Sequence, residues 1–214
     1  MFWQTWRVLC LLALPGLAVA QPPYPDTRKG DVVDNYFGTQ VADPYRWLED
    51  VNSEETKAWV KAQNQFTSAY LGGIPERAAI KDRVARLWNF EKYTIPFKLG
   101  KYYFYSHNPG LQNQPVLFVT EDRKSPGRVL IDPNMLSADG IVALVDTRTT
   151  EDGRFMAYAT AVAGSDWQTW KVKDVATGQD LPDEIRWSKL GQASWLADNS
   201  GFYYGRFDPP KEGL

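Results

Sequence analysis

Beyond about residue 93 the chain reads as short β-rich runs separated by turn signals, and this rhythm constrains the fold more than any other feature. Residues 101–106 (Lys-Tyr-Tyr-Phe-Tyr-Ser) and 114–120 (Gln-Pro-Val-Leu-Phe-Val-Thr) are rich in aromatic or β-branched residues, with a turn-like Asn108-Pro109-Gly110 between them. Further runs fall at residues 128–131, 155–161, 167–175 and 202–205. Glycines at 153, 164 and 178 give spacings of 11 and 14 residues, the spacing of an antiparallel meander. A longer recurrence overlies it. Residues 151–155 (Glu-Asp-Gly-Arg-Phe) and 198–202 (Asp-Asn-Ser-Gly-Phe) each set an acidic, polar turn before a Phe-led strand, and the two phenylalanines stand 47 residues apart. A period of about 40–50 residues is that of a four-stranded propeller blade, so a β-propeller is expected over a sandwich.

Upstream the periodicity is helical. Ser53 is placed to cap a helix running to about Leu71, with Trp59, Ala62, Phe66, Ala69 and Tyr70 on one stripe and Gly72-Gly73 at its end. Pro75 suits the first position of a second helix, whose apolar face is Ile80, Val84, Leu87 and Trp88. Neither stripe calls for a cofactor; each needs something to pack on. Residues 21–36, with Pro22, Pro23 and Pro25, read as an extended arm.

The first twenty residues are set aside as a signal peptide. Arg7 precedes an apolar run, and Ala18-Val19-Ala20 supplies a small-residue cleavage site before Gln21. The run is short for a membrane span, so the mature protein is expected in the periplasm or outside the cell, free of the membrane. Cys10 leaves with the signal, and with it goes any disulfide framework. A net charge of −2 argues against nucleic acid as a partner. Nine Trp, eleven Tyr and ten Phe favour broad sheets packed on one another. The tryptophans at 47, 59, 88, 167, 170, 187 and 195 are accordingly read as packing residues.

Catalytic candidates are sparse. His107 is the single histidine. Its Ser106-His107-Asn108-Pro109-Gly110 setting reads as an exposed turn. Ser165 and Ser194 lack the glycine frame of a nucleophile elbow. No His or Cys pair suggests zinc, and no dinucleotide or phosphate-loop fingerprint appears, so no metal or cofactor is expected. Glu49-Asp50 and Glu54-Glu55 fall near a helix N-terminus, where negative charge offsets the macrodipole. Asp43 and Asp50, around Trp47, are placed to fix the arm through caps and hydrogen bonds.

Several blocks, taken in order, resemble the front end of the prolyl oligopeptidase family of serine peptidases. They are Tyr24-Pro25-Asp26, residues 43–50 (Asp-Pro-Tyr-Arg-Trp-Leu-Glu-Asp), Ala62-Gln63-Asn64, residues 110–114 (Gly-Leu-Gln-Asn-Gln), and residues 132–137 with Asp139-Gly140. Glu151-Asp152-Gly153, Ala157-Tyr158 and Gly164-Ser165-Asp166-Trp167 follow. Each block is short; their order and spacing carry the resemblance.

The resemblance implies an α/β-hydrolase domain bearing Ser, Asp and His, capped by a seven-bladed propeller inserted near the start of the chain. On that map residues 1–20 are the signal, residues 21–92 are the arm and helices of the hydrolase domain, and residues 93–214 are about two blades. An end at Leu214 in a sheet-like region then reads as the opening third of a longer enzyme. The parent is expected to be a monomeric peptidase that cleaves short peptides after proline. This portion supplies bracing helices and part of the gate, holds no catalytic residue, and is inactive alone. Asp166 corresponds to a propeller loop facing the cavity beside the active site, and Leu190 to an apolar side chain of the outer substrate pocket. Asp166 can also be read as simply forming a turn with Ser165. The competing reading is a stand-alone exported β-meander module that binds a peptide or protein partner without catalysis.

Overall fold

The structure, a computed structural model, describes residues 24–209. The expected signal peptide lies outside the described residues. The chain divides into two compact units, Met1–Pro75 and Glu76–Leu214.

In the first unit β1 (Val33–Tyr36) and β2 (Thr39–Ala42) form an antiparallel hairpin. Its two-residue loop, Phe37-Gly38, has φ of 54° and 94°, the left-handed pair that matches the twist of the flanking strands. The end of the segment expected as an arm is therefore paired strand. Residues 24–28 lie along α1 (Glu54–Gly72): Trp59 Nε1 donates to Thr27 Oγ1 at 2.9 Å, and Tyr24 packs on Phe66 with ring centroids 4.9 Å apart. Arg28 meets Glu55 through two hydrogen bonds of 2.6 and 3.1 Å. Ser53 caps α1 by accepting the Thr56 amide at 3.2 Å, and the buried Thr56 hydroxyl donates to Trp47 O. In the 3-10 turn Arg46–Glu49, Arg46 is held by Asp34 and Asp43, which ties the hairpin to that turn.

The second unit opens with α2 (Arg77–Trp88). Pro75 precedes it by two residues instead of occupying its first position. Ile80, Val84, Leu87 and Trp88 are exposed among the described residues, an apolar face that these residues do not cover. Then come β3 (Lys92–Tyr93), β4 (Phe97–Leu99), β5 (Tyr102–Asn108), β6 (Val116–Thr120) and β7 (Arg128–Ile131) in one antiparallel sheet. Both β3 and β4 pair with β5, so together they act as one interrupted strand. The second sheet is β8 (Val142–Thr149), β9 (Phe155–Val162), β10 (Trp167–Asp174) and β11 (Asp180–Lys189), each paired to its sequence neighbour. A third begins with β12 (Ser194–Trp195) and β13 (Phe202–Tyr203). Two propeller blades and the opening hairpin of a third are thus present.

The core follows from the two-residue side-chain period of a strand. On β9, Met156 and Tyr158 face the first blade, in a buried cluster with Phe104, Leu117, Val119, Leu130 and Val175. The alternate residues Ala157 and Ala159 face the other way and leave room for Trp170, with Trp195 and Phe202 of the third sheet packed alongside. Large side chains on one face of β9 and alanines on the other let blades sit on both sides of a single strand.

Side chains also fasten one blade to the next. Gln114 Nε2 donates to Val142 O at 2.7 Å while its Oε1 accepts the Leu144 amide at 3.2 Å, copying a strand on the free edge of β8. Arg128 reaches the carbonyl oxygens of Val175 and Ala176. Trp195 Nε1 donates to Arg148 O at 2.7 Å.

Candidate functional site

Asp166 and Leu190 come together at one end of the second blade. Asp166 lies in the connection that leads into β10, and Leu190 directly follows β11. The pairing of Trp167 with Lys189 makes these two positions neighbours. Ala163 and Gly164 take the turn in left-handed conformations, with φ of 50° and 74°. Ser165 Oγ accepts the Trp167 amide at 3.1 Å, so the serine makes the turn contact and the Asp166 carboxylate points elsewhere. It meets Lys189, with Oδ2 and Nζ 3.5 Å apart.

Aromatic rings support this corner. Trp167 meets Trp187 edge-on at 5.8 Å and Phe207 at 5.9 Å, and Lys189 Nζ lies 5.3 Å from the Trp167 ring centre. Trp187 and Leu190 both have positive φ, 64° and 53°, which costs bulky residues free energy. Three hydrogen bonds hold the backbone there. Trp170 Nε1 donates to Ser188 Oγ at 3.2 Å, Ser188 Oγ donates to Gly205 O at 2.8 Å, and the Phe207 amide donates to Trp187 O at 2.9 Å. The result displays Leu190, 83% exposed, beside one ammonium and one carboxylate. Such a surface offers an apolar contact next to two opposite charges. Lys189 was not singled out in the sequence because it stands 23 residues from Asp166. The β10–β11 register that joins them contains two bulges.

His107 belongs to β5, not to an exposed turn. It pairs with Tyr93 and Val116, and its ring stacks on Tyr93 at 4.3 Å. Its Nε2 lies 2.9 Å from Glu91 Oε1, which also accepts the Tyr93 hydroxyl at 2.8 Å. Hydrogen bonds from Tyr93 and then His107 hold the Glu91 carboxyl below its ordinary value. The cluster fastens β3 to β5, a structural use of the single histidine. Glu54 and Glu55 sit in the first turn of α1, and Asp50 Oδ1 accepts the Asn52 and Ser53 amides at 3.1 Å, as helix-end acids do.

A separate cleft of about 600 Å³ opens beside β4, β8 and β12, lined in part by Leu99, Arg148, Glu151, Ser194 and Trp195. Asp166 and Leu190 do not line it. Among the described residues, no group of three or more His, Cys, Asp or Glu is placed to hold a metal ion. No helix among them is long and apolar enough to cross a membrane.

Comparison with known proteins places this architecture. Residues 24–213 match the family model of the prolyl oligopeptidase N-terminal β-propeller domain. The chain is 43% identical over 190 residues to a prolyl endopeptidase of Elizabethkingia meningoseptica, covering 89% of this chain and 27% of that protein. It is 33% identical over 210 residues to prolyl oligopeptidase A of Amanita bisporigera, covering 86% of this chain and 28% of the other. A solved prolyl endopeptidase superposes with a TM-score of 0.75 at 34% identity, covering 85% of this chain and 27% of its own. Prolyl oligopeptidase B of Galerina marginata, bound to a 35mer hydrolysis and macrocyclization substrate, gives 0.72 at 31% identity, covering 87% and 30%. The chain thus spans somewhat over a quarter of the length of these relatives. It belongs to the prolyl oligopeptidase family, within the N-terminal β-propeller domain.

Proposed function

We propose that the protein to which this chain belongs is a serine endopeptidase that hydrolyses short peptides on the carboxyl side of proline. The observation that carries the reading is the match across residues 24–213, which takes in both antiparallel blade sheets. In this reading residues 21–92 serve an α/β-hydrolase domain and residues 93–214 open a seven-bladed propeller. A serine attacks the carbonyl after proline, a histidine takes its proton, and backbone amides stabilise the oxyanion. Those groups are supplied by the rest of the parent, so the 214-residue chain alone is inactive. Its blades form part of a gate that admits only short, flexible peptides. Asp166 holds a basic group of the hydrolase domain, and Leu190 lends the outer pocket an apolar wall without the stacking an aromatic ring would add. The parent is a monomer, exported to the periplasm or beyond after cleavage at Ala20.

The test is fluorophosphonate labelling of an extract from cells that make the protein, with labelled species identified by size and peptide mass. Peptides such as residues 62–77 are expected in a labelled species several times longer than this chain. Finding them only in an unlabelled species of this length would replace the peptidase reading with a non-catalytic binding module.

A further inference from the structure

Lys189 stands beside both candidate pocket residues, yet its ionic partner among the described residues is loosely held. Asp166 Oδ2 lies 3.5 Å away, and the two side chains are 36% and 65% exposed. A pair this open is weak and exchanges its partner readily. The ammonium lies over the Trp167 face. Ser188, fully buried and bonded to Trp170 and Gly205, anchors the backbone on one side of Lys189, and the left-handed Leu190 turns the chain on the other. Arg186, the nearest cation in sequence, is already taken by Glu184 at 2.5 Å. What the corner offers is therefore one ammonium with a replaceable partner, next to an exposed leucine.

We infer that Lys189 is a specificity-determining residue, whose ammonium takes a carboxylate side chain on the peptide, N-terminal to the proline. The inference rests on the peptide-cleaving reading above. A glutamate suits the corner because its methylenes can lie on Leu190 while its carboxylate replaces Asp166 at Nζ. When Asp166 turns to the basic group proposed for it, the same motion frees Lys189 for the substrate. Exchange of one exposed ion pair for another calls for a modest effect, read mainly in KM.

The experiment uses the full-length parent with two matched peptides that differ only by Glu or Gln two or three residues before the proline. At low ionic strength the Glu peptide is expected to show a KM about two- to fivefold lower, with kcat little changed. Lys189→Met should abolish that preference, Lys189→Arg should restore it, and 0.5 M salt, on the order of the concentration at which surface pairs are screened, should erase it in the wild type. If both peptides are cleaved after proline and the Glu-to-Gln ratio is the same in wild type and Lys189→Met, the inference is overturned and the peptidase reading stands. If neither peptide is cleaved after proline, both fall together.

Discussion

Gly100 and Gly153 oppose each other across the joint between the first two blades, each with its bare α-carbon against the other's turn. A Cβ on Gly100 would overlap the Asp152 carbonyl, and one on Gly153 would come within 2.5 Å of Leu99 O. Both have positive φ, 55° and 76°. Alanine at either position should destabilise the protein by more than about 1–2 kcal/mol, from the left-handed backbone and the displaced carbonyl together. The double variant should lose less than the sum, because either substitution pushes apart the same two turns. Urea unfolding of the singles and the double checks this; simple additivity would mean the two turns do not share the strain.

Trp170 is the largest fully buried side chain among the described residues and fills the space left by Ala157 and Ala159. Trp170→Ala should cost about 3–5 kcal/mol, the range for an emptied aromatic site. Trp170→Phe keeps most of that packing but loses the bond to Ser188, a further matter of about 1 kcal/mol. Thermal unfolding should therefore rank wild type, Phe and Ala in that order, with the wide gap between Phe and Ala.

Acid should loosen the turns of the second blade. The Thr150 hydroxyl, at 2.6 Å, and the Arg154 amide hold the Asp152 carboxyl below its ordinary 3.8. The Thr177 amide, at 2.8 Å, leads the same effect on Asp174. A depressed folded value means that the stabilising contribution is complete above 3.8 and is lost as pH falls through the lower folded value. Asp152→Asn should be less stable than wild type at pH 6, and the gap should close below about pH 4. A gap of constant size from pH 6 to pH 2.5 would refute the linkage.

In the first unit, Ser53→Ala should cost about 1 kcal/mol, the usual loss for a removed N-cap. Hydrogen exchange should show the effect first at the amides of the opening turn of α1, Thr56 foremost.

Much of this fold is written locally. Residues 128–131 were expected as a strand and are one, and the runs opening at Phe155, Trp167 and Phe202 begin at those residues. Helix α1 starts after its Ser53 cap and ends at Gly72, as its stripe and glycines indicate. What escaped the sequence depends on partners far along the chain. β11 carries Pro182 and five charged residues, a poor strand by propensity, but it is the outermost strand, where a missing amide and solvated charges cost little. β8 alternates weakly because both of its faces are only half-buried. β3 consists of two residues, and only its ladder to Asn108 and His107 makes it a strand. The same holds for the candidate corner: Asp166 and Leu190 came from a family resemblance, whereas Lys189 required the bulged register between β10 and β11.

The side-chain ties between blades also bear on how the protein is made. Gln114 bridges 28 residues to Val142, Arg128 bridges 47 to Val175, and Trp195 bridges 47 back to Arg148. The two longer spans are each about one repeat, and the shortest is less than one. A nascent chain can therefore close each joint as soon as the next meander emerges, without waiting for distant sequence, and loop-closure entropy is met in small steps. Assembly can then proceed vectorially, with each finished sheet acting as the template for its successor.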